Sequence, residues 1–109
     1  MMTSRYAIDL GTSITNIYAL GGGIVLSEPS VVAVDTDDRK KVKAIGADAK
    51  RLIGKTAENT SVVFPVFEGE IADEKLTAVM LRYFLKKIQA KKTRLELLFL
   101  RHAIYKSII

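Results

Sequence analysis

The sequence predicts an α/β domain with a mixed sheet (α+β). Three observations point there. Short apolar runs rich in β-branched residues fill the first two thirds of the chain, each closed by Gly, Pro or a charged turn. The run from Leu76 to Ile88 instead repeats its apolar residues at spacings of three and four, the period of a helix. Hydrophobic residues make up 49% of the 109, enough for one domain with a modest core and too many for a disordered chain.

Residues 6–10 read as a first strand, buried through Ala7, Ile8 and Leu10, with Asp9 near its end facing a cavity. A tight turn follows at Gly11, and Thr15, Ile17 and Tyr18 favour a second strand over 15–20. Gly21-Gly22-Gly23 is a flexible turn into a third strand, Ile24 to Ser27, paired with the second as a hairpin. Strands flank that triple glycine on both sides and no helix follows it, so it is not read as a phosphate loop. Glu28-Pro29-Ser30 interrupts the strand, because proline removes a backbone donor and marks a bend or a sheet edge. Val31 to Val34 resumes as strand.

Asp35 to Lys40 is a charged turn whose three carboxylates lack EF-hand spacing. Val42 to Ile45 is another short strand. Residues 46–54 predict a short helix with Ala49, Leu52 and Ile53 on one face and Gly54 at its stop. After a polar loop, Ser61 to Phe67 is extended, irregular at Pro65, and Glu68-Gly69-Glu70 turns the chain. Asp73 then suits an N-cap and Glu74 a first turn. Leu76, Val79, Met80, Tyr83, Phe84 and Ile88 form one core stripe on a helix over 73–90. Arg94 to Leu100 reads as a buried strand. Residues 101–109 are apolar, with no turn signal and no cap, and the ending Lys106-Ser107-Ile108-Ile109 suggests a truncated or altered terminus.

Composition excludes several chemistries. With no Cys there is no disulfide and no thiolate metal site. His102 is the one histidine, which rules out a multi-histidine metal site within one chain. The net charge of +5 gathers at Lys86, Lys87, Lys91, Lys92, Arg94, Arg101 and Lys106. Without an aromatic platform or a nucleic-acid motif beside it, this is a solvated helix end favoured by the helix dipole, and no nucleic-acid partner is expected. No apolar run approaches the roughly 20 residues of a membrane span. The start lacks a signal peptide's apolar region, and the lack of Cys agrees with a cytoplasmic address.

The chemistry concentrates in Asp9 and the turn Gly11, Thr12, Ser13, Ile14 and Thr15. Gly11 lets the backbone approach a ligand closely, and the hydroxyls of Thr12, Ser13 and Thr15 stand beside exposed backbone N–H groups. Successive N–H groups in a turn make a concave anion site. A carboxylate next to a phosphate makes sense with hydrated Mg²⁺ between them. The turn is neither a P-loop nor a dinucleotide fingerprint. On these residues alone, a nucleotide-phosphate loop and an ordinary polar hairpin turn both stand.

The order of motifs adds a resemblance. Asp9-Leu10-Gly11-Thr12-Ser13, then Gly23 to Val34 with its Glu28-Pro29-Ser30-Val31-Val32 run, resembles the start of the bacterial actin-like rod shape-determining proteins, the MreB/Mbl family. The likeness continues through Ala44 to Arg51, Gly69 to Asp73 and Met80 to Lys87, covering roughly residues 6–88. It implies the N-terminal part of an actin/Hsp70-like ATPase lobe of ribonuclease H-like fold. Residues 35–62 would be a small inserted subdomain, helix 73–90 would return to the main one, and residues 95–100 would begin the next core strand.

By the same resemblance, the backbone N–H groups of Thr12, Ser13 and Ile14 would contact ATP phosphates, and Asp9 would hold water around Mg²⁺. The family usually has Asn where this chain has Ile14, so a side-chain amide contact is lost while backbone contacts survive. Full-length relatives bind ATP, polymerise into filaments along the inner membrane and work with the cell-shape machinery, which makes the expected location cytoplasmic and membrane-associated. Their second phosphate loop, adenosine pocket and water-positioning residues lie beyond residue 109. The family is an ATPase family, but this chain is expected to show at best weak nucleotide binding and little or no turnover. After Leu100 the family turns with a proline and a small polar residue, whereas Arg101-His102-Ala103 follows here, so 95–109 is an atypical tail. Two other readings remain: the start of an Hsp70-like chaperone or sugar kinase, and a non-enzymatic self-associating module.

Overall fold

Ile8 and Leu10 are buried while Asp9 between them is half-exposed, and this period of two turns one face of the first strand inward. The computed structural model describes residues 4–19, 21–55, 59–88, 97–100 and 103–108. In chain order they form β1 (Ser4–Leu10), β2 (Ile14–Ala19), β3 (Gly23–Pro29), β4 (Val32–Asp35), β5 (Val42–Ile45), α1 (Ala47–Lys50), β6 (Thr60–Val63), β7 (Val66–Phe67), β8 (Glu70–Ile71), α2 (Glu74–Lys87), β9 (Leu97–Leu100) and β10 (Ala103–Ile108).

The main sheet has the order β3-β2-β1-β10-β9. β2 and β3 form the expected hairpin, closing on Ala19 opposite Gly23, with a bulge between Ile17 and Tyr18. Gly21 and Gly23 take φ of 89° and 79°, which a side chain would strain. Each strand pairing among the described residues is antiparallel. The neighbour of β1 is not β9 but β10, which pairs with it from Ser4 opposite Ile108 to Asp9 opposite Ala103. β9 lies one place further out. The turnless run after residue 101 is thus a strand inserted between them, in keeping with the β-propensity of its Ile and Tyr residues.

β4 is the centre of a second sheet, β5-β4-β6. Its apolar run is continuous because both faces are covered. Val32 and Val34 join the main core with Ile8, Ile17, Met80 and Phe84, while Val31 and Ala33 pack with Ala49 of α1. The predicted helix at 46–54 is only one turn of α-helix followed by turns, closed at Gly54 with φ 74°. Ile53 does not share the buried face of Ala49 and is 47% exposed. The extended stretch before Pro65 and after it splits into β6 and β7, and β7 and β8 pair across the turn at Glu68 and Gly69.

α2 begins as its sequence dictates. The Asp73 side chain accepts the Leu76 N–H at 2.9 Å, and Glu74 sits in the first turn. Its buried face is rotated from the expected stripe, however. Leu76, Met80 and Phe84 are buried as expected, but Thr77, Leu81 and Leu85 complete the face instead of Tyr83. Both rows are i, i+4 series, and spacing alone does not say which flank of a shared row faces inward. Tyr83 instead lies at the surface, its ring 5.8 Å from the Lys87 ammonium. The sequence reading of a buried strand from residue 94 falls partly outside the described residues, at 94–96.

Candidate functional site

The turn between β1 and β2 is tight because glycine begins it. The Gly11 N–H donates to the Ile14 carbonyl at 3.1 Å. A Cβ on Gly11 would stand 2.6 Å from that same oxygen, so the position demands space rather than an unusual backbone angle. Asp9 is the second-last residue of β1, half-buried, and pairs with Asn16 on one side and Ala103 on the other. Ser13 and Ile14 are exposed at the tip, Ile14 by 49%. Among the described residues, no protein acceptor takes the backbone N–H of Thr12 or Ser13. The structure thus brings Asp9, Gly11, Thr12, Ser13 and Ile14 together at one end of the main sheet.

Two of the expected hydroxyls do other work. Thr15 faces inward: its side chain is fully buried, and its hydroxyl lies 2.6 Å from that of buried Ser30. The strand period places residue 15 inward once residue 14 points out. The Thr12 hydroxyl accepts the Glu68 N–H at 3.0 Å, tying the turn to the β7–β8 hairpin. Ser30 also donates its N–H to the Ser13 carbonyl at 2.9 Å.

Sequence reasoning missed this brace, having read Glu28-Pro29-Ser30 as a mere strand interruption. The signal was there: Ser27, Glu28 and Ser30 sit between Leu26 and Val31, both of which are core. Glu28 is a junction as well. One carboxylate oxygen accepts the Ala47 N–H at 2.8 Å and the other binds the Lys87 ammonium at 2.7 Å, so the end of β3 holds the start of α1 and the end of α2. Burial raises the Glu28 pKa, but the Lys87 and Ala47 hydrogen bonds and the charges of Lys87 and Arg51 outweigh it and hold the carboxyl below its ordinary range. The same bond raises Lys87.

The signs of these shifts fix a pH dependence. A lowered carboxyl stabilises above its unfolded pKa and loses that contribution as pH falls through the folded value. A raised ammonium stabilises below its unfolded pKa and loses it as pH rises through the folded one. Acid unfolding followed by circular dichroism below pH 4.5, the ordinary glutamate value, is therefore expected to be less steep in Glu28→Gln than in the parent. An identical acid limb in both would remove Glu28 from the account.

The Thr15–Ser30 pair gives a second measurement. Thr15→Val leaves the buried Ser30 hydroxyl unpaired and is expected to cost about 1–3 kcal/mol in urea denaturation. Thr15→Val with Ser30→Ala removes both partners and is expected to recover most of that. Simple additivity of the two single changes would show that the pair does not act as a unit.

Among the described residues, no group of three or more acidic or imidazole side chains is placed to hold an ion unaided. No helix among them is long and apolar enough to cross a membrane.

Comparison with known proteins gives consistent matches. The family model described as MreB/Mbl protein matches residues 3–100. The cell shape-determining protein MreB of Escherichia coli (strain K12) is 44% identical over 93 residues, which cover 83% of this chain and 27% of that one. The cell shape-determining protein Mbl of Bacillus subtilis (strain 168) is 43% identical over 91 residues, covering 84% and 27%. The crystal structure of MreB5 of Spiroplasma citri bound to ADP superposes with a TM-score of 0.70 at 29% identity, over 82% of this chain and 27% of that one. The same protein bound to AMPPNP gives a TM-score of 0.72 at 28% identity, over 81% and 26%. The chain thus spans about a quarter of the length of the relatives it matches.

Proposed function

Because this chain belongs to the MreB/Mbl family and has the α/β fold of the opening part of an actin-like ATPase lobe, we propose that its Gly11–Ile14 turn is the first phosphate-binding loop of an ATP site. The observation that carries this reading is the pair of backbone N–H groups at Thr12 and Ser13 that no acceptor among the described residues takes, on a turn hydrogen-bonded to Ser30 and Glu68. Successive unpartnered N–H groups in a turn are what an anion needs. Thr12, Ser13 and Ile14 would present their N–H groups to the phosphates, and Gly11 would let the backbone come close. Thr15, proposed with them on sequence grounds, serves from beneath through Ser30.

Asp9 would order water around Mg²⁺, which prefers oxygen ligands and retains several waters. When bound, the ion would neutralise phosphate charge; the chain's own part is to aim the Asp9 carboxylate and the turn. The related MreB5 has been solved with ADP and with AMPPNP, which supports a nucleotide as the ligand.

In this proposal the chain is the opening segment of a cytoplasmic, membrane-associated bacterial actin that polymerises and determines cell shape. Residues 35–62 form its small inserted subdomain, and residues 95–109 an atypical end of the main one. The matched relatives are cell shape-determining proteins, which favours this over the chaperone and sugar-kinase readings. One wall of a cleft does not position an attacking water, a leaving group and a metal from several sides. The 109-residue chain is therefore expected to bind ATP weakly and to hydrolyse it little or not at all.

Titration calorimetry with ATP and Mg²⁺ tests the assignment. Weak, Mg²⁺-dependent binding that is lost in Asp9→Ala is expected. Equal binding by parent and Asp9→Ala sinks the role given to Asp9, and turnover that depends on Mg²⁺ and on Asp9 refutes the expected inactivity.

A further inference from the structure

A second concavity lies away from the nucleotide turn, where the β4–β5 connection folds over the first two turns of α2. It has a volume of about 470 Å³, inside the roughly 300–1,000 Å³ range of small-molecule pockets. Its floor is apolar: Leu76 is 5% exposed, and Val42 and Val79 are half-buried against the main core. Its rim is cationic, with Arg39, Lys40 and Lys75 around it. The one carboxylate in the lining, Asp73, is already engaged. One oxygen caps α2 through the Leu76 N–H, and the other binds the Arg39 guanidinium at 2.7 Å.

The Arg39–Asp73 bond links the β4–β5 connection to the start of the helix. It also leaves the charge of the rim uncompensated. Among the described residues, Lys40 and Lys75 have no ion-pair partner, and both side chains are exposed. An apolar floor under two unpaired ammonium groups is complementary to a ligand with an apolar body and one negative head. A neutral apolar ligand would leave the ammonium groups idle, and a small inorganic anion would leave the floor wet.

We propose that this cleft is a binding site for a small organic monoanion, an aryl or branched alkyl carboxylate in class. The site shares no residue with Asp9 or the Gly11–Thr15 turn and does not depend on the nucleotide reading. Lys40 and Lys75 hold the carboxylate at the rim, and Val42, Leu76 and Val79 take the apolar body.

The full chain, labelled with nitrogen-15, is titrated with 1-naphthoate and, separately, with the neutral 1-naphthylmethanol. Saturable shifts are expected at the amides of Val42, Leu76 and Val79 with naphthoate, and binding of the alcohol about 25-fold weaker, the scale of two close charge pairs in water. Lys75→Gln and Lys40→Gln are each expected to weaken naphthoate about fivefold and leave the alcohol unchanged. Both side chains are exposed, and preserved spectral dispersion confirms that the variants fold. The proposal is overturned if naphthoate shifts none of these amides, if its shifts fall only elsewhere, or if acid and alcohol bind equally well.

Discussion

Phe84→Ala is expected to destabilise the chain by about 3–5 kcal/mol. A small domain has only about 5–15 kcal/mol in total, so this takes a large share of the margin and should lower the unfolding midpoint markedly. The reasoning starts from position. Phe84 is fully buried and sits in the main core with Ile8, Ile17, Val32, Val34 and Met80. It therefore joins α2 to both the main sheet and the second sheet. Its ring also lies beside Gly46, where an added Cβ would come within 3.1 Å of Phe84 Cε1. No neighbouring element can close the resulting space without moving a strand, so the cavity cost adds to the lost transfer energy. Tyr83→Ala provides the contrast. Tyr83 is next in sequence and 36% exposed, so a change under about 1 kcal/mol is expected there. Urea denaturation of both variants decides the matter: comparable midpoints would show that α2 is not docked as described.

Gly11→Val is expected to abolish nucleotide binding while leaving a folded chain. The added Cβ would lie 2.6 Å from the Ile14 carbonyl oxygen, which is backbone and cannot rotate away. The turn must open, at a cost of about 1–3 kcal/mol for overpacking. That is small enough for the core around Phe84 to survive. The consequence for binding is larger. Opening the turn displaces the Thr12 and Ser13 N–H groups, and a misplacement of about 1 Å in a positioning element can cost a factor of roughly 100. Gly22→Ala is the matched control. Its Cβ would meet the Ala19 Cβ at an ordinary 3.4 Å in the hairpin turn, remote from the ligand. Calorimetry with ATP and Mg²⁺ should show binding by the parent and Gly22→Ala and none by Gly11→Val. Undiminished binding by Gly11→Val would place the phosphates elsewhere.

Much of this architecture is legible in local chemistry alone. The N-cap at Asp73, the hairpin across Gly21 to Gly23 and the break at Pro65 depend on one residue and its neighbours, and each is found where the sequence puts it. The turn at Gly11 was legible as a close approach, although the partner of that approach, the Ile14 carbonyl, was not.

What stayed hidden depends on residues far apart in the chain. Thr15 looked like a ligand-facing hydroxyl until Ser30, fifteen residues later, was found bonded to it inside the core. Glu28 looked like an edge residue until Ala47 and Lys87 were seen on its two oxygens. The inward flank of α2 was ambiguous because residues 77, 81 and 85 keep the same spacing as 76, 80 and 84.

The place beside β1 is the sharpest case. The run at 97–100 is legible as extended and the one at 103–108 is not, and only the pairing of Ile8 with Ile104 says which of them lies next to the first strand. Sequence therefore settled the glycine turns, the N-cap of α2 and the family to which the chain belongs, because caps and motifs are written within a few residues. Register, the buried flank of α2 and the brace under the turn came only with the folded chain, because each is a contact between segments that no local signal connects.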